Sequence, residues 1–272
     1  MNPADPKARR TVPSLTFLVT HPGSDIYGAD PSKPFHLMFD LGLRKARERY
    51  PEVLQKHVDA RAPFDLAPGV AAQLSKGGLD PSEVDLVMLS HVHYDHHGDP
   101  EDFPKAHFVV GKGALDVLEH GLGNIASHQH FVPGTLPADR SSELPDPADQ
   151  KPLGPFPATY DLFGDGSVFV VDTPGHLPGH VNLLCRTKDR WLMLCGDAFH
   201  DRRLLTGEKG VGTWEGPHGN TICIHLDKKG AEESIKRLQQ FQEQAGGQVE
   251  LIAAHEEIWW EKNKKNAFPA KL

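Results

Sequence analysis

The chain has 272 residues, a length that suits one large domain. Apolar residues make up 38% of the chain, and adding the 26 glycines reaches the ordinary globular range, which excludes global disorder. A net charge of −8 without a basic stripe excludes an obvious nucleic-acid binder, and no apolar run approaches the ~18 residues of a membrane span.

The N-terminal MNPADPKARR lacks the apolar segment of a secretory leader. Residues 15–19 (LTFLV) and 35–40 (FHLMFD) read as strands, joined by the Gly/Pro-rich connection 21–34. Residues 43–60 carry spaced apolar positions and predict a helix, with Pro51 as its weak point. A second helix is expected over about 68–77, stopped by Gly77 and Gly78. Residues 84–90 (VDLVMLS) read as a buried strand. Seven prolines between 133 and 157 mark 120–160 as a long loop, either a functional lid or a surface insertion. Strands resume at 167–171, 181–186, 191–195 and 249–254. Before the last of these, Asp227 can cap a helix whose Ala231, Ile235, Leu238 and Phe241 share one face, ending at Gly246 and Gly247.

Three cysteines without paired spacing (Cys185, Cys195, Cys223) fit a reducing compartment rather than a disulfide scaffold. Histidine is the unusual residue: there are 17, as many as Phe and Tyr together. Four apolar strands each run into a metal-ligand type of residue, namely His91, His176, Asp197 and His255. The densest cluster is HVHYDHHG at 91–98, where His91 and His93 alternate with Asp95 and His96 follows. Imidazoles and a carboxylate packed this closely after a buried strand need a cation to collect them.

HVHYDH resembles the HxHxDH signature of the metallo-β-lactamase-fold hydrolases. TPGH at 173–176, GD at 196–197, AH at 254–255 and FDLG at 39–42 are similar to that superfamily's other motifs, in the same order. The resemblance implies an α+β fold, the four-layer αβ/βα sandwich, over a single domain 1–272 with a Pro-rich insertion at about 120–160. It implies that His91, His93 and His176 hold one metal, that Asp95, His96 and His255 hold a second, and that Asp197 bridges them. Zinc is the default pair of divalent ions, although imidazole and carboxylate also suit iron, manganese or cobalt. Asp40 resembles a residue that ties down the metal loops. His180 is read as structural and His97 as a spectator.

The long lead before His91, the TPGHLPGH run and the short tail look most like the lactonase branch, which includes the quorum-quenching acyl-homoserine lactone hydrolases and fungal lactone or lactam hydrolases. That likeness implies a dinuclear hydrolase that opens a small cyclic ester or amide by attack of a metal-bridging hydroxide, with Asp95 orienting the nucleophile or passing a proton. His200 stands where lactonases place a substrate-contacting Tyr, which puts a homoserine lactone substrate in doubt. The alternatives are a glyoxalase II-like thioesterase and an inactive metal-binding partner protein. Segments 21–34, 120–160 and 207–225 are expected to wall the substrate, with Phe131, Trp214 and Trp259 as apolar contacts. The expected partner is a small lactone or lactam, with no nucleic acid and no membrane; the oligomeric state is not legible. The C-terminal Ala270, Lys271 and Leu272 resemble a peroxisomal address, an alternative to a cytoplasmic location in a eukaryote.

Overall fold

Strands that are apolar on both faces must be covered on both faces, and the computed structural model satisfies this with four layers. It describes residues 10–122, 130–216 and 219–272; the segment that carries the leader expectation, and parts of 120–160 and 207–225, lie outside the described residues. The first sheet contains β1 (Phe17–His21), β2 (Phe35–Phe39), β3 (Leu86–Met88), β4 (His107–Val110) and β5 (Ser141–Glu143), in that spatial order. β1 is antiparallel to β2, and the others follow in parallel. The second sheet is built from β6 (Lys151–Leu153), β7 (Phe156–Asp161), β8 (Val168–Asp172), β9 (Val181–Arg186), β10 (Trp191–Leu194) and β13 (Val249–Ile252), ordered β13-β10-β9-β8-β7-β6. It is antiparallel except where β13 runs parallel to β10. A small hairpin pairs β11 (Thr213–Glu215) with β12 (Thr221–Cys223).

The two sheets face each other through Phe35, Leu37, Phe39, Leu86 and Met88 on one side and Val168, Val170, Leu183, Leu192 and Leu194 on the other. Their alternate residues point outward. Met38, Val87 and Phe108 pack against Leu74 of α2 (Val70–Lys76) and Val117 and Leu118 of α3 (Ala114–His120). Val171, Leu184, Met193 and Leu251 pack against Leu205 of α4 (Arg202–Leu205) and Ile235 and Leu238 of α5 (Lys228–Gln244). Period-two alternation in the strands thus divides each one between two cores. Among the described residues, no helix is long and apolar enough to cross a membrane.

Strand direction positions the site. β8, β10 and β13 run the same way, so their C-terminal ends share one rim of the second sheet. The end of β3 meets this rim where the Val181 N–H donates to Ser90 O at 2.9 Å. β1 runs against β2, pairing His21 with Phe35, so the 21–34 connection lies at the opposite rim. There Tyr27 stacks on His107 at 4.3 Å, and this connection therefore does not wall the site as expected.

Several elements depart from the expectations. The helix expected over 43–60 forms only as α1 (Glu52–Asp59), because Pro51 fixes an extended N-cap (φ −63°, ψ 157°) in front of it. The 120–160 loop holds β5 and β6, one edge strand of each sheet, and most of β7, which pairs with β6. Prolines are tolerated at such edges, where one row of backbone groups faces away from the ladder. Trp259, expected as an apolar contact for the substrate, is instead a residue of the core between the sheets. It sits in α6 (Glu257–Asn263), buried edge-on to Phe17 at 6.0 Å, with its Nε1–H donating to Glu250 Oε1 at 2.8 Å.

Candidate metal centre

Each short strand delivers one part of the centre at the point where its ladder ends. His91, His93, Asp95 and His96 lie in the turn that follows β3. His176 follows β8, Asp197 follows β10 and His255 follows β13. All seven expected ligands gather at the shared rim. They form two groups, His91, His93, His176 and Asp197, and Asp95, His96 and His255, with the candidate ligand atoms of each group within 4.8 Å of one another.

In the first group, His91 Nε2 lies 2.9 Å and His176 Nε2 lies 3.0 Å from His93 Nδ1. Asp197 Oδ2 is 3.9 Å from His91 Nε2 and 3.4 Å from His176 Nε2. In the second group, Asp197 Oδ1 is 3.4 Å from His96 Nε2 and 3.3 Å from His255 Nε2, and Asp95 Oδ2 is 3.6 Å from His255 Nε2. One carboxylate therefore turns an oxygen toward each group.

The outer ring nitrogens are held by neighbours that leave the inner ones turned to the centre. Asp40 is buried and accepts from the Ser90 N–H (2.7 Å), the Ser90 Oγ–H (2.8 Å) and His96 Nδ1 (2.9 Å). Ser90 Oγ also lies 3.0 Å from His91 Nδ1. His255 Nδ1 donates to Pro13 O at 2.7 Å. The backbone of Asp197 is pinned by its N–H donating to His180 Nε2 at 3.1 Å, while His180 Nδ1 lies 3.1 Å from Thr173 O. His180 thereby has the structural part expected of it, although it repeats the GH pattern of His176. His97 turns away from the centre, with Nδ1 donating to Gly98 O at 3.0 Å.

The electrostatics separate the two groups. Burial, reinforced by neighbouring imidazoles, holds His91 and His176 well below the ordinary histidine pKa. Burial opposes protonation of His96 and His255 as well, but the Asp197 carboxylate, aided by Asp40 at His96 and by Asp95 at His255, raises His96 well above the ordinary value and His255 to about 9. Burial would raise Asp197, yet His200, His255 and His96 around it hold it far below the carboxylate range. His91 and His176 thus present neutral lone pairs, whereas at His96 and His255 protons answer the nearby carboxylate charge.

A divalent cation fits this donor set. Nitrogens about 3 Å apart match the roughly 3.3 Å ligand–ligand edge of a tetrahedron with metal–nitrogen bonds near 2.0–2.1 Å. His96 Nε2 and Asp197 Oδ1 are buried with no hydrogen-bond partner among the described residues, a costly state unless a ligand meets them. The set has five imidazoles, two carboxylates and no thiolate, which suits zinc and its first-row neighbours.

The centre is reached from the side of Asp95, His255 and His200, whose side chains are 20%, 12% and 21% exposed. His200 Nε2 donates to Asp197 Oδ2 at 3.0 Å, so this residue belongs to the centre. Phe131 stacks parallel to His93 at 5.7 Å, which places the 120–160 segment against the site. Trp214 lies half-buried in β11 and makes no ring contact with the histidines among the described residues. A cavity of about 670 Å³, lined by Arg44, Tyr50, His97 and Val132 among others, touches none of the seven ligand candidates. Two residues of the centre escaped the sequence reading. Ser90 was visible only as the residue before the first histidine. His225 lies in CIHLD, a stretch without a motif, where the histidine excess was the one signal.

Residues 35–242 match the family model described as the metallo-beta-lactamase superfamily. The chain is 32% identical over 193 residues to gamma-lactamase FDB1 of Fusarium pseudograminearum, a stretch that covers 69% of this chain and 45% of that protein. It is 31% identical over 170 residues to gamma-lactamase MBL2 of Gibberella moniliformis, covering 60% of this chain and 70% of that one. The chain therefore spans less than half the length of the first relative. Among solved structures, an N-acyl homoserine lactone hydrolase with N-hexanoyl-L-homoserine bound at its catalytic metal centre has a TM-score of 0.63 at 17% identity, covering 96% of this chain and 97% of that chain.

Proposed function

Because the chain belongs to the metallo-β-lactamase superfamily, we propose that it is a metal-dependent hydrolase that opens a small cyclic ester or amide at a centre of two divalent cations, with zinc as the metal. The observation that carries this reading is Asp197, whose two oxygens each face a separate cluster of imidazoles. The relatives named gamma-lactamases and the lactone hydrolase with the same fold support the ring-opening class.

In this reading His91, His93 and His176 would hold one ion and Asp95, His96 and His255 the other, with Asp197 available to both. Bound ions supply Lewis acidity and make water acidic enough to deprotonate near neutral pH. The chain's own residues do the rest. Asp40, Ser90 and Pro13 O fix the tautomers that keep inward nitrogens as acceptors, the orienting role that neighbours of metal ligands commonly serve. Asp95 stands on the open side, where a carboxyl can carry a proton to the leaving nitrogen or oxygen of an opened ring. His200, on the same side, gives its Nε2–H to Asp197 Oδ2 and so orients the carboxylate that both groups face. Phe131, lying flat over His93, offers an apolar wall for the ring.

The test is metal content and substrate class together. The purified protein is expected to bind about two zinc equivalents and to open members of a panel of γ-lactams and lactones. Chelation should abolish this activity, and returned zinc should restore it. Failure to bind metal, or turnover of only a glutathione thioester added to the panel, would defeat the reading.

A further inference from the structure

We propose that His225 is a positioning residue for His176: its Nδ1 accepts the proton on His176 Nδ1 and so keeps His176 Nε2 as a lone pair turned to the metal. The proposal rests on the reading of His176 as a ligand. The stretch before α5 is zipped onto the loop that follows β8. The Leu226 N–H donates to His176 O at 3.0 Å and the Asp227 N–H to Gly175 O at 2.8 Å. Asp227 is itself fixed, because its Oδ1 accepts from the Gly230 N–H at 3.1 Å to cap α5. Cys223 Sγ lies 2.9 Å from His225 O on the other side.

Both imidazoles are 2% exposed and meet edge to face at 5.2 Å, with the two Nδ1 atoms 3.2 Å apart. Only one of these nitrogens can carry the proton between them. His176 Nε2 already points into the centre, 3.0 Å from His93 Nδ1 and 3.4 Å from Asp197 Oδ2. A neutral His176 that gives its Nε2 lone pair to a cation must carry its proton on Nδ1. That buried proton needs an acceptor, and His225 Nδ1 stands where the acceptor must be. His225 then carries its own proton on Nε2, an atom buried with no hydrogen-bond partner among the described residues. Phenylalanine or leucine would fill the space without burying an unmet donor, so packing does not account for an imidazole here. His180 makes the contrast: both of its ring nitrogens have partners.

Zinc affinity, read by competition against a chromophoric chelator, tests the assignment. His225→Phe keeps the volume and loses the acceptor; its zinc affinity is expected to fall about 10–100-fold. Its metal-free melting temperature should hold or rise. His225→Gln offers an amide oxygen to the same proton and should keep most of the affinity. A His225→Phe protein that binds zinc like the parent overturns the proposal, whereas a parent that binds no zinc overturns the reading of the site instead. Nitrogen-15 histidine spectra of the zinc-loaded parent give a measurement free of any folding defect. They should show His176 protonated at Nδ1 and His225 at Nε2; His225 protonated at Nδ1 overturns the proposal.

Discussion

Asp40 holds a backbone φ of 61°, a region that asparagine and aspartate tolerate better than other side chains. From there its two oxygens reach Ser90 and His96. Asp40→Asn keeps the backbone shape and one oxygen for the Ser90 N–H. It also places an amide NH₂ where an oxygen met His96 Nδ1. His96 must then shift its proton to Nε2, the atom 3.4 Å from Asp197 Oδ1, and cannot serve as the proposed ligand. The expected result is a folded protein with zinc affinity lowered about 10–100-fold, read by zinc titration; a folded variant with parental affinity would remove Asp40 from the tautomer argument. The sequence made the ligand types legible because they are packed into one run, 91–96, and sit just beyond apolar strands. It did not reveal His225, which stands 49 residues from His176 and acquires its meaning only from a contact across the fold.

The loop from Thr173 to His176 is placed by α5 as much as by β8. Ser234 Oγ donates to Pro174 O at 2.7 Å, and Gly175 adopts φ +130° directly against the first turn of the helix. A Cβ on Gly175 would lie 2.1 Å from Ala231 N and 2.5 Å from Ala231 Cα, both backbone atoms that cannot rotate away. Gly175→Ala must therefore push loop and helix apart, at a cost of about 1–3 kcal/mol. The melting temperature should fall about 2–4 °C for each kcal/mol, and zinc affinity should fall with it because His176 moves. Gly164→Ala is the matched control: its φ of +73° brings backbone strain, but nothing lies within 4 Å of its Cβ. It should lose stability and keep zinc affinity; equal affinity losses in both variants would refute the docking argument. At this scale the sequence was readable where an element buries a face. α5 and β9 match their expected spans closely because their apolar spacing is dictated by burial. β5 and β6 sit at sheet edges, where exposure relaxes that spacing and admits proline, so their stretch read as loop.

Neither half of the molecule carries the centre alone. The first sheet supplies His91, His93, Asp95 and His96, the second supplies His176, Asp197 and His255, and the shared core of Phe39, Met88, Val181 and Leu194 holds their rims in register. Stability of the whole fold is thus a condition for the site, and it carries a pH dependence of its own. Asp172 ends β8 half-buried, and burial, with the nearby Asp146 charge, raises its carboxyl to about 6 against the pull of Arg237. A folded pKa above the unfolded value means that the native state binds this proton more tightly. Stability therefore falls as pH rises from about 4, where the unfolded chain titrates, to about 6, and the full penalty persists above that. Asp172→Asn removes the charge without changing the shape. Its advantage over the parent should be on the order of 1 kcal/mol at pH 8 once solvent screening is allowed for, a rise of about 2–4 °C in melting temperature. Near pH 4 the two proteins should melt together. Taking the difference at each pH cancels the titration of the histidine centre, which both proteins share. A gain that grew toward acid, or none at pH 8, would show that the fold does not raise the Asp172 carboxyl.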